Sequence, residues 1–230
     1  MLSNKLLFYC SKPVVLSYTG VMLKMDVQKH KPFPQGAKII AVNHPSTTDP
    51  FFIASMLRQQ SFILITELLF QVPLLGAYLR RAGHIPVQAG KGKEAIDRAV
   101  ELLKRGRTVV IFPEGGISPL EGGFHRARTG VARIALMSKA PVIPVGIHLE
   151  RKRLHATCST VRGQVEYGYW YARGPYNITT GAPLYFSGSV DDHAHVRLVA
   201  DRIMHHIIEL AHKSKERLDR ASGTLVYEGI

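Results

Sequence analysis

Short β-branched and aliphatic runs alternate along this chain with segments of helical length and period, and that alternation restricts it to a layered α/β architecture. Ala37–Val42, Ser61–Thr66, His84–Val87, Thr108–Phe112, Pro141–Leu149 and Gln164–Tyr171 read as strands. Pro50–Arg58, Glu67–Arg81, Gly92–Arg105 and Arg126–Lys139 read as the helices between them, with Pro73 kinking or breaking the second and Gly83 ending it. A last long helix, about Val190 to Arg220, opens with Ser189 and Asp192 in capping-box spacing, and its apolar positions Val196, Val199, Ile203, Ile207 and Leu210 recur every three or four residues. No internal repeat and no Pro-, Gly- or Ser-rich linker interrupts the pattern. The expected fold is a single α/β domain over 26–220, a mixed, mostly buried β-sheet flanked by helices, with a loosely held tail at 221–230.

The 230 residues suffice for a core that needs neither metal nor disulfides. Cys10 and Cys158 are far apart and lack C-x-x-C spacing, which fits a reducing compartment and excludes a disulfide framework. Charge is the unusual quantity: 30 Lys+Arg stand against 17 Asp+Glu, a formal +13. Such an excess calls for an anionic partner, whether nucleic acid, an anionic membrane or a phosphate-bearing substrate.

Leu6 to Leu23 is apolar but broken by Lys12, Pro13 and Gly20, which argues against a membrane-spanning helix. Two readings of residues 1–25 stand open: a helical segment lying on a membrane surface, flanked by Lys5 and Lys24, or an ordinary helix packed on the domain. Leu68, Leu69, Leu74 and Leu75 likewise suit either core packing or contact with lipid or an acyl chain.

Chemistry concentrates after the first strand, in Asn43-His44-Pro45-Ser46-Thr47-Thr48-Asp49-Pro50. Pro50 suits a first helical position and Asp49 the N-cap before it. His44 sits where a buried strand turns, the place where α/β sheets present functional groups. A carboxylate five residues on can return across the turn to one imidazole nitrogen, leaving the other to act as a base toward a hydroxyl. Val109–Phe112 then runs into Pro113-Glu114-Gly115-Gly116-Ile117-Ser118, a turn that brings backbone amides and a carboxylate close to a ligand.

These blocks resemble the glycerolipid acyltransferases of the 1-acylglycerol-3-phosphate acyltransferase type, over about Ala37 to Gly146. The pattern N-H-x-S-x-x-D is met by Asn43, His44, Ser46 and Asp49; F-P-E-G-T-R-S by Phe112, Pro113, Glu114, Gly115 and Ser118; P-V-x-P-V by Pro141 to Val145. A further block is met at Glu67, Pro73, Gly76, Gly83 and Ile85–Val87. The resemblance implies transfer of a fatty acyl group, with no cofactor, from an acyl carrier protein or coenzyme A thioester to the hydroxyl of a lysophospholipid or related glycerolipid. It implies a place at the cytoplasmic face of an anionic membrane, with His44 as general base and Asp49 as its orienting partner. Amides near the start of the Pro50 helix are the expected oxyanion donors. Glu114, Gly115, Gly116, Ser118, Arg126 and Lys91 are the expected substrate-binding residues.

Two departures bear on the acceptor. Gln88-Ala89 and Ile117 stand where the family usually has arginines associated with the acceptor's phosphate. Lys91, Lys93, Arg126 and Arg128 are the cations near enough in sequence to replace them. Outside the family, Arg151-Lys152-Arg153 with Tyr167, Tyr169, Trp170 and Tyr171 suggests a nucleic-acid surface; within it, a catalytically weak lipid-binding relative is a further alternative. The Asp191, Asp192, His193, His195, His205, His206 group reads as a solvated helix face rather than a metal site. Neither G-x-S-x-G nor a P-loop motif occurs.

Overall fold

The computed structural model describes residues 2–161 and 163–223. The chain opens with α1 (Leu2–Val21), β1 (Asp26–Lys29), β2 (Lys38–Val42), α2 (Asp49–Met56) and β3 (Ser61–Thr66). A 3₁₀ turn at Glu67–Gln71 leads to α3 (Leu75–Ala82), β4 (Ile85–Val87), α4 (Gly92–Lys104), β5 (Thr108–Ile111), α5 (Gly130–Ser138) and β6 (Val142–Leu149). Strands β7 (Leu154–Val161), β8 (Gln164–Tyr171) and β9 (Tyr176–Thr180) precede the closing α6 (His193–Ala221). Seven strands form one sheet in the order β1-β9-β6-β2-β5-β3-β4, parallel throughout except for the antiparallel β6–β9 pair. The mixed, helix-flanked sheet expected from the sequence is present.

Strand alternation divides the core into two layers. Ile39 and Ala41 of β2, with Val109 and Ile111 of β5, pack under α4, α5 and α6. Ile40, Val42 and Val110 face the other way, against Phe52 and Ile53 of α2 and Tyr171 and Tyr176. Val196, Val199, Ile203, Ile207 and Leu210 of α6 are buried as their periodicity predicts. Its N-cap is Asp192, whose carboxylate accepts from the His195 amide at 2.9 Å; Ser189 instead bonds Asp191 within the preceding turn.

The segment read as one helix over Glu67–Arg81 is broken at Pro73, and Leu74 begins α3 at φ 63°. Gly76 is required there because a Cβ would overlap the Phe70 carbonyl, which Arg80 also engages. The strand pattern missed β1, β7 and β9. Of the expected tail, Ala221 ends α6, Ser222 and Gly223 form a turn, and 224–230 lie outside the described residues.

His84, just before β4, accepts the Ile63 amide proton on Nδ1 at 3.2 Å, and burial lowers its pKa from 6.5 to about 4. A neutral ring in the fold that protonates readily once unfolded stabilises the native state above pH 6.5, and this contribution disappears as pH falls through 4. Unfolding free energy is therefore expected to decline by roughly 2–3 kcal/mol from this group between pH 6.5 and 4. Denaturant titrations should show a shallower decline in His84→Gln; an identical decline would remove His84 as its source.

Candidate active site

The carboxyl ends of β2, β3, β4, β5 and β6 share one edge of the sheet, because these strands run parallel. At that edge Asn43 continues the β2–β6 ladder with its side chain: Nδ2 donates to the Ile147 carbonyl at 3.0 Å and Oδ1 accepts from the Ile147 amide at 2.7 Å. The chain then leaves the sheet at a fixed angle and carries His44 over the end of β5, where the imidazole stacks on Phe112 with centroids 4.2 Å apart.

Asp49 returns across the turn as expected, although the N-cap position is Thr48 and Asp49 begins the first turn of α2. Its side chain is turned inward and fully buried. Oδ2 accepts from His44 Nδ1 at 3.0 Å and from the Ser46 amide at 2.8 Å, and Oδ1 accepts from the Tyr176 hydroxyl at 2.6 Å. A carboxylate only accepts, so the imidazole proton resides on Nδ1 and the Nε2 lone pair is free. Among the described residues nothing hydrogen-bonds Nε2, and the His44 side chain is 16% exposed, so Nε2 can meet a hydroxyl from solvent. Burial and the facing Asp49 charge push the Tyr176 hydroxyl's pKa well above the ordinary tyrosine value, so it stays a donor.

Glu114 and Ser118, expected to bind substrate, make hydrogen bonds within the protein. Both are buried. Glu114 Oε1 accepts from the His44 amide at 3.0 Å and from Ser118 Oγ at 2.7 Å, while Oε2 accepts from the His125 amide at 2.8 Å. The Ser118 amide donates to the His44 carbonyl at 2.8 Å. Buried Glu114 thus binds the His44 turn to the loop after β5. Arg151 pins the same loop through the Pro119 and Gly123 carbonyls; burial lowers its pKa, countered by Glu114 and Glu121. The basic triplet is therefore engaged in the protein: Arg151 holds a loop, and Lys152 and Arg153 pair with Glu150.

Gly115 and Gly116 are exposed beside the site, at the end of the strand adjoining β2. Arg126 is directed elsewhere, into an ion pair with Asp201 of α6 at 2.9 Å. The Arg128 side chain instead lies over Gly115, where φ is 71° and a Cβ would overlap the guanidinium. Arg128 is exposed and has no ion pair among the described residues. Lys91 follows β4, three strand positions from β2 and hence about 14 Å to the side. The expected oxyanion donors at the start of α2 are already engaged. The Ser46 amide bonds Asp49, Thr47 bonds the Tyr169 carbonyl, Thr48 bonds Ser46 Oγ, the Asp49 amide bonds the Ser46 carbonyl, and Phe51 and Phe52 bond the Thr48 carbonyl.

Tyr176 escaped sequence reasoning because it starts a short polar strand 127 residues from Asp49, with no motif around it. Tyr176→Phe is expected to lower stability by about 1.5–3 kcal/mol, since it leaves a buried carboxylate short of one donor. Chemical denaturation checks this, and an unchanged midpoint would show that Asp49 finds another donor.

Residues 24–148 match the family model described as Acyltransferase. A 1-acyl-sn-glycerol-3-phosphate acyltransferase of Pseudomonas aeruginosa is 28% identical over 141 residues, covering 60% of this chain and 54% of that protein. One of Bacillus subtilis is 30% identical over 133 residues, covering 57% and 64%. The chain thus spans about half the length of these curated relatives. The crystal structure of the 1-acyl-sn-glycerophosphate (LPA) acyltransferase PlsC from Thermotoga maritima shares the fold, with TM-score 0.58 and 20% identity over 94% of this chain and 95% of that one. With its family match extending from the segment before β2 through the His44 turn to β6, the chain belongs to the Acyltransferase family.

Proposed function

We propose that this protein transfers a fatty acyl group from an acyl carrier protein or coenzyme A thioester to the hydroxyl of a lysophospholipid or related glycerolipid, in phospholipid biosynthesis. The observation that carries this reading is His44, oriented through Nδ1 by buried Asp49 and presenting a free Nε2 at the sheet's carboxyl edge. Nε2 takes the acceptor's hydroxyl proton as the oxygen attacks the thioester carbonyl. Collapse of the tetrahedral intermediate breaks the carbon–sulfur bond, and the imidazolium returns the proton to the departing thiolate. Asp49 stabilises the imidazolium between these steps. With the α2 amides engaged, we assign the oxyanion to the Gly115–Gly116 turn, whose Gly116 amide has no partner among the described residues.

Arg128 is the cation we assign to an acceptor phosphate, in place of the arginines missing at Ala89 and Ile117. Its position over Gly115 supports this, whereas Arg126 is turned toward Asp201, a carboxylate it shares with Arg197. For the setting, we propose peripheral attachment to the cytoplasmic face of an anionic membrane. No described helix is long and apolar enough to cross a membrane, while α1 leaves Tyr9, Val14, Leu16 and Val21 exposed. The overall +13 favours an anionic lipid surface.

The deciding experiment offers the protein a labelled acyl thioester and a mixture of lysolipids, with products identified by mass spectrometry. His44→Ala should lose transfer by about 10²–10⁴-fold with an unchanged circular dichroism spectrum. Wild-type-like transfer by that variant would refute the mechanism. Arg128→Ala should raise KM for a phosphate-bearing acceptor by about tenfold or more while leaving an uncharged acceptor unaffected. Equal effects on both acceptors would remove Arg128 from phosphate binding.

A further inference from the structure

The β7–β8 hairpin is not used by the chemistry above. It leaves the sheet after β6 and returns at the start of β9, both at the carboxyl edge, so it stands beside the His44 turn as a separate two-stranded sheet. One face carries Ala156, Cys158 and Thr160 opposite Tyr169, Tyr167 and Val165; the other pairs His155 with Trp170. Val165 is 55% exposed, Tyr167 62% and Trp170 39%, so both faces of the hairpin present apolar surface to solvent. Two further exposed apolar residues adjoin its root: Leu120 follows Pro119, whose carbonyl Arg151 engages, and the carbonyl of Met22, just past α1, accepts the Gly174 amide.

We propose that this hairpin is a lipid-contacting element that enters the interfacial zone of an anionic bilayer and seats the sheet's carboxyl edge against it. The inference rests on the lipid-acceptor reading for its choice of partner. Three observations favour a bilayer. Tyr and Trp prefer the boundary between headgroups and acyl chains. The Trp170 indole N–H already donates to Thr157 Oγ1 at 2.8 Å, so the ring can leave water without losing its hydrogen bond. Residues 150–173 carry Arg151, Lys152, Arg153, Arg162 and Arg173 against Glu150 and Glu166, so that even with Lys152 and Arg153 sharing Glu150 the segment keeps an excess of positive charge complementary to anionic headgroups.

The hairpin is also joined to the catalytic turn. The Thr47 amide donates to the Tyr169 carbonyl at 2.8 Å, and the Tyr169 amide donates to Thr47 Oγ1 at 2.8 Å. A hairpin seated on lipid therefore holds the turn bearing His44 and Asp49 at a set height above the surface from which an acceptor would be drawn.

Trp170 is the chain's single tryptophan and reports directly on the hairpin. The full chain is mixed with phosphatidylglycerol–phosphatidylcholine vesicles, with and without lipids brominated near the headgroup end of their acyl chains. Emission is expected to move to shorter wavelength and to be quenched by the brominated lipids. A double variant, Val165→Ser with Tyr167→Ser, should partition onto the vesicles about tenfold less strongly with an unchanged thermal melt. Unaltered emission while the protein sediments with vesicles would overturn the proposal, placing attachment elsewhere. So would wild-type partitioning by the double variant, absence of any partitioning, or an emission shift with acyl carrier protein but not with vesicles. Partitioning is read without acyl transfer, so failure of the transferase reading would appear separately, as absent product from protein that still binds vesicles.

Discussion

The fully buried carboxylate of Asp49 is the constraint around which the site is built. An unpartnered buried charge would cost several kcal/mol, so donors must be held where the oxygens are. They come from separate places: the His44 ring at the end of β2, the Ser46 amide within the turn, and the Tyr176 hydroxyl at the start of β9. Meeting that demand fixes the imidazole tautomer, the shape of the turn and the position of a strand far along the chain. Glu114 repeats the device one strand away, with backbone and hydroxyl donors and no histidine ring, and the result fastens the His44 turn to the loop after β5.

What the sequence made legible follows from this division. The strands β2, β3, β5 and β6 announce themselves because they are buried between two layers and need aliphatic side chains on both faces. The strand β9 is as deeply buried, yet Asn177, Thr179 and Thr180 hide it. Their polarity is tolerable because α6 supplies partners, as where Thr179 Oγ1 meets Ser214 Oγ at 2.7 Å and Arg217 reaches the Ile178 carbonyl at 3.0 Å. Such pairing depends on a helix some 35 residues away and leaves no local period to read. The same limit hid Tyr176. His44 and Asp49 were legible because their partnership closes within one turn.

Charge shows the converse. Arg126, Lys152 and Arg153 are prominent in sequence and are each matched to a carboxylate in the fold, while Arg151 is committed to backbone carbonyls. Arg128 differs from Arg126 only by two positions, but the extra residues carry it past α6 and over the glycine turn. A high net positive charge therefore states how strongly the molecule is drawn to an anionic surface. Which cation is available for a ligand depends on acidic residues elsewhere.

The antiparallel entry of β9 has a consequence for where this protein can be divided. The family match ends at residue 148, inside β6, whereas the third donor to Asp49 lies at 176 and the helix covering one sheet face begins at 193. A chain cut at the end of the match would retain every motif residue and still be defective. Strand β6 would become an apolar edge open on the side β9 covers, prone to pairing with another copy, and Asp49 would lose the Tyr176 donor. The recognisable segment is thus smaller than the unit that completes the site, whose last donor to Asp49 comes from β9.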